Sequence, residues 1–79
     1  MKCQVLKIQQ KPSYRGGIFY WYFMKDLESG KSLRTCTSPE FRNWYKWSGI
    51  KNGDILTNCN LRGKNMVDAD SDIIIEREK

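Results

Sequence analysis

Apolar residues in the first half of the chain cluster in short runs separated by turn residues, a pattern of strands rather than long helices. From Lys2 to Lys11, Val5, Leu6 and Ile8 stand among Gln4, Lys7, Gln9 and Gln10, which predicts a strand. Pro12 to Gly17 interrupts it, because Pro and a Gly pair mark a loop. Ile18 to Leu27 contains Ile, Phe, Tyr, Trp, Tyr and Phe in succession, all favourable on a pleated backbone, and carries the strongest strand signal. Glu28-Ser29-Gly30-Lys31 predicts a hairpin connection with Gly30 at the left-handed position of a three-residue loop. Ser32 to Thr37 is the returning strand.

The period then changes. Ser38 suits a helix cap, Pro39 the first helical position, and Glu40 the positive end of the dipole. Phe41, Trp44, Tyr45 and Trp47 follow at helical spacing, and Gly49 closes a helix of roughly nine residues whose aromatic stripe is expected to pack against the core. Ile55 to Leu61 alternates and predicts a fourth strand. Arg62-Gly63-Lys64-Asn65 is a turn, and Met66 to Glu76 contains a fifth strand centred on Ile73-Ile74-Ile75. The chain carries no internal repeat, linker or low-complexity segment, so residues 1–79 form one domain.

A three-residue loop sets the register of the aromatic hairpin: Leu27 faces Lys31, Met24 faces Arg34 and Tyr22 faces Cys36. One face then carries Tyr20, Tyr22, Met24, Ser32 and Arg34. The other carries Phe19, Trp21, Phe23, Leu33 and Thr35, the more apolar set, and is assigned to the core. A strand aromatic on both faces needs its second face covered or used. Stacking of nucleic-acid bases uses it; a dimer interface or a covering helix hides it.

Charge is uneven along the chain. Residues 1 to 53 hold ten Lys and Arg against three Asp and Glu, a balance of +7, whereas residues 54 to 79 hold four against six, a balance of −2. Positive charge thus collects on the aromatic part of the chain, which suits a polyanionic partner and equally a solvated basic surface on an ordinary domain; charge alone does not separate the two. Cys3, Cys36 and Cys59 are widely spaced, the chain has no His and no C-x-x-C, and reduced core thiols are expected rather than a zinc site. No apolar run reaches the roughly 18 residues that span a membrane, and no signal-peptide stretch opens the sequence, so a soluble, cytoplasmic protein is expected. Asp68-x-Asp70-x-Asp72 is similar to a calcium loop, but Ile73 and Lys79 stand where Gly and Glu are needed. No nucleophile elbow or phosphate-binding Gly-rich loop is present. The expectation is a non-enzyme without cofactor or metal.

Five strands with a short helix between the third and fourth is the element order of the OB-fold, a partly open Greek-key barrel. Ile50-Lys51-Asn52-Gly53-Asp54-Ile55, after the helix and opening a strand, resembles the start of the fourth strand in many OB-fold single-stranded DNA-binding proteins. Arg15-Gly16 before an aromatic strand, with the hairpin through Gly30, is similar to the DNA-binding wing of the small filamentous-phage single-stranded DNA-binding proteins, over roughly residues 2 to 37. The helix candidate departs from those phage proteins. The resemblance implies a five-stranded barrel, usually dimeric, that binds single-stranded DNA with little sequence preference by base stacking and phosphate contacts.

The residues assigned to that contact are Tyr14 and Arg15 on the Gly-flanked loop, Tyr20, Tyr22 and Arg34 on the hairpin, and Arg62 and Lys64 on the fourth turn. RNA stays open beside DNA, since nothing identifies a contact to the 2′-hydroxyl. So does a protein–protein module, such as a phage-encoded inhibitor docking through the hairpin, because Tyr, Trp and Arg also make interface hot spots.

Overall fold

The computed structural model describes residues 1–12 and 16–76. Five strands, β1 (Cys3–Pro12), β2 (Ile18–Asp26), β3 (Ser32–Thr37), β4 (Ile55–Thr57) and β5 (Ile74–Glu76), form one antiparallel sheet in the order β3-β2-β1-β4-β5. The sheet is open. β1 is its pivot: the strand pairs with β2 along its whole length and with β4 at Cys3 and Gln4 only. A register shift between Val5 and Lys7 marks a bulge at Leu6, the kind of irregularity that bends a strand. On the far edge, β3 meets the chain once more through a parallel bridge between Arg34 and Met66.

The β2–β3 hairpin turns one residue earlier than the sequence reading has it. Asp26 ends β2 and its carboxylate accepts hydrogen bonds from the Glu28 N–H and the Ser29 hydroxyl, both at 2.9 Å. That Asp-initiated turn is closed by Gly30 N–H to Asp26 C=O at 2.8 Å, with Gly30 at φ +77°. The loop is therefore Leu27 to Gly30, four residues instead of three. Met24 pairs with Leu33, Phe23 with Arg34, Tyr22 with Thr35 and Trp21 with Cys36.

A one-residue slip moves every β2 side chain to the other face relative to β3. Tyr22 and Met24 are buried with Leu33 and Thr35, and join Cys3, Val5, Trp47, Ile50, Leu56, Cys59 and Val67 in the core. The assignment of Leu33 and Thr35 to the core stands, and that of Phe19, Trp21 and Phe23 is corrected.

The helix is shorter than predicted, Trp44–Trp47, because Ser38 to Asn43 forms turns instead of the first helical residues. Trp47 is fully buried, and its indole Nε1–H donates to Ala69 C=O at 2.9 Å. Trp44 stacks on Tyr20 with ring centroids 4.8 Å apart. Tyr45, read as part of the same packed stripe, is instead exposed. The fourth strand stops at Thr57, since Asn58 takes φ +64°, a left-handed value that breaks the pleat. Met66 and Val67 are drawn away from β5 to bridge Arg34 and Leu61. Among the described residues, no helix is long and apolar enough to cross a membrane.

The turn makes a first testable statement. The two hydrogen bonds to Asp26 hold its carboxyl below the ordinary carboxylate value. A depressed folded value means the stabilisation is present above the unfolded pKa, near 3.8, and is lost as pH falls through the lower folded value. The melting temperature of Asp26→Asn should therefore fall less than that of the wild type between about pH 5 and pH 2. Equal acid dependence in the two proteins would show that the turn contributes nothing.

Candidate nucleic-acid interface

Directly opposed residues share a sheet face, so the register lays out the surface remote from the core. Its rows across β1, β2 and β3 are Lys7–Phe23–Arg34, Gln9–Trp21–Cys36 and Lys11–Phe19, with Gln4–Lys25–Ser32 beyond the bulge. Phe19, Trp21 and Phe23 thus stand in line along β2, about 6.6 Å apart at 3.3 Å per residue. Lys7 and Lys11 flank the line on one side and Arg34 on the other. These rows contain four cations and no carboxylate.

Neighbouring contacts hold the aromatics without sealing them. The Arg34 guanidinium lies 5.9 Å from the centre of the Trp21 ring, a cation–π arrangement that orients both. Phe19 makes an edge-to-face contact with the exposed Phe41 at 6.2 Å. All three β2 aromatics are half-buried.

The turn after Leu61 supplies further cations. Arg34 is fixed to it by two backbone hydrogen bonds, from its N–H to Asn65 C=O at 3.0 Å and from Val67 N–H to its C=O at 2.9 Å. Gly63, at φ +121°, and Asn65, at φ +61°, turn the chain so that Lys64 lines a recess with Phe23 and Arg34. Arg62 lines an adjoining groove with Cys36, Phe41, Met66 and Ala69. Burial pushes the Cys36 thiol above its ordinary value, so it stays protonated at neutral pH.

Of the residues singled out in the sequence, Arg34, Arg62 and Lys64 border this face. Tyr20 and Tyr22 do not. Tyr22 is 2% exposed, and its hydroxyl donates to Trp47 C=O at 2.8 Å while its ring packs on Trp47 at 4.9 Å. Burial, with a smaller contribution from Tyr20, pushes its pKa up to about 12. Tyr20 is half-buried against Trp44, on the inner side. Tyr14 and Arg15 lie outside the described residues. The sequence reading missed Lys7, Lys11 and the three outward aromatics as surface; the signal that finds them is Asp26 three residues before Ser29, an Asp-initiated turn that resets the register.

The Gly53-Asp54 turn has a structural role. Gly53 takes φ +91° and donates its N–H to Val5 C=O at 2.7 Å, while the buried Asp54 carboxylate accepts the Lys51 N–H at 2.8 Å. No protein-family model, curated protein or solved structure matches the chain.

Proposed function

We propose that this chain binds single-stranded nucleic acid, DNA in the first instance, on the outward face of β1–β3. One observation carries the reading: three aromatic side chains in line on β2, bordered on both sides by cations and free of carboxylates. Single-strand binding without sequence readout needs flat surfaces for bases and positive charge along the phosphate path, and these rows supply both. Lys64 extends the cationic path beyond β3; Arg62, which also lines a groove with Glu40, Asp68 and Asp70, stands at its end, and Tyr14 and Arg15, outside the described residues, remain candidates to extend it ahead of β2. An OB-like barrel, left partly open, suits the strand order: β1 is shared between β2 and β4, and the Arg34–Met66 bridge returns the chain to β3. Stacking tolerates every base because each has a π-face, so binding carried by the aromatic line has little sequence preference.

Titration with oligothymidylate should quench Trp fluorescence, because Trp21 is in the line. Each neutralised phosphate adds about −0.7 to the log–log salt dependence, so four cations predict a slope of roughly −3. Undetectable binding at low salt with micromolar protein would end the proposal. Parallel titration with oligouridylate separates DNA from RNA. Binding to a protein surface instead would leave no such salt slope with oligonucleotide.

A further inference from the structure

Cys3 and Cys59 are 56 positions apart in the sequence and adjacent in the core, at 0% and 1% exposure. Backbone pairing brings them together. Cys3 opposes Leu56 across β1 and β4, the Leu56 carbonyl lies 3.7 Å from the Cys59 sulfur, and the Cys59 N–H donates to Met1 C=O at 3.1 Å. Both side chains belong to the same buried core cluster. Cys36 is on β3, at the opposite edge of the β3-β2-β1 part of the sheet, and takes no part.

We propose that Cys3 and Cys59 form an oxidative modification site, at which a low-molecular-weight disulfide converts the pair into an intramolecular disulfide joining the start of β1 to the turn after β4. The contact from Cys59 holds the Cys3 thiol below its ordinary pKa, and the same contact with burial drives Cys59 well above it. Cys3 is therefore the attacking thiolate. It displaces one thiolate from the oxidant and forms a mixed disulfide. Cys59, its proton passing to the departing thiolate, then attacks the Cys3 sulfur and releases the second thiol. Two protein thiols are oxidised to one disulfide, and the oxidant disulfide is reduced to two thiols.

Access comes from local opening. The β1–β4 ladder is two residue pairs long, Cys3 with Leu56 and Gln4 with Ile55, and is flanked by the Val5–Asp54, Gly53–Val5 and Cys59–Met1 backbone hydrogen bonds; opening this short edge gives a route to both sulfurs that leaves the β1–β2–β3 pairing in place.

The test is incubation of the full chain with oxidised glutathione, followed by counting of thiols under denaturing conditions and peptide mapping. Two of the three thiols should be lost, in a monomer carrying a Cys3–Cys59 linked peptide. Cys36 should remain open to alkylation, and the melting temperature should rise and return on addition of dithiothreitol. Retention of all three thiols, linkage through Cys36, or a glutathione adduct at Cys3 that never resolves would each overturn the proposal. Cys36→Ser, at a position off the core, repeats the measurement with only the proposed pair present and should give the same linked peptide.

Discussion

Replacing Tyr22 with alanine should unfold a large fraction of the protein while leaving the affinity of each folded molecule for oligothymidylate nearly unchanged. Truncating a buried aromatic ring costs about 3–5 kcal/mol, and here it also strands the Trp47 carbonyl that accepts the hydroxyl. At roughly 0.05–0.15 kcal/mol per residue, a domain of this size has about 4–12 kcal/mol in total. Urea denaturation reads the loss directly. Tyr22→Phe keeps the ring and should cost about 1 kcal/mol. The phenylalanine variant also isolates a pH effect. Tyr22 ionises near 10 when unfolded and near 12 when folded, so its stabilisation is present below pH 10 and is lost as pH rises towards 12. Wild-type stability should decline over that window more steeply than that of Tyr22→Phe. An alanine variant with unchanged stability and lost binding would put Tyr22 back on the contact surface.

Most of the architecture was legible because local signals were strong. β1, β2 and β3 fall within a residue or so of their predicted limits, since Pro12, the Gly16-Gly17 pair and Gly30 punctuate runs of β-favouring residues. The short elements were less legible. Phe41, Trp44 and Trp47 have helical spacing, yet the chain needs only one helical turn to drive Trp47 into the core, and Asn43 is used instead to link Thr37 and Asp70 through its side-chain amide. β5 is three residues long because Met66 and Val67 pair with Arg34 and Leu61, long-range contacts that no local pattern encodes.

The proposed face differs from the sequence reading by one position in register. Arg34, Arg62 and Lys64 lie beside it in both, because charge and turn residues are local features. Choosing between Tyr20–Tyr22 and Phe19–Trp21–Phe23 depended on loop length alone. Hydrophobicity misled there: the more apolar set faces outward, and the two tyrosines face inward. The core can accept the Tyr22 hydroxyl because Trp47 offers it a buried carbonyl. Phe, by contrast, has no polar atom to satisfy, so leaving Phe19 and Phe23 half-covered beside Lys7, Lys11 or Phe41 forgoes burial that would stabilise the fold. An apolar strand face that is bordered by cations and left uncovered is the feature that calls for a ligand with π-faces and negative charge.

That feature makes Trp21 the decisive residue. Trp21→Ala should weaken oligothymidylate binding by about 1–3 kcal/mol, roughly 5- to 150-fold, because stacking on one aromatic is worth that much per base. Its salt slope should stay as in the wild type, since no charge is removed. Arg34→Ala should also weaken binding, but by a different signature. It should flatten the slope by about 0.7 when one phosphate contact is lost, and it should additionally loosen Trp21 by removing the cation over its ring. Phe23→Ala, one row along and flanked by Lys7 and Arg34, should resemble Trp21→Ala in slope with a smaller loss. All three positions are on the outward face, so the urea midpoints should move far less than that of Tyr22→Ala. Oligothymidylate affinity unchanged in both Trp21→Ala and Phe23→Ala would remove the outward face from the binding site, whatever the salt dependence of the wild type.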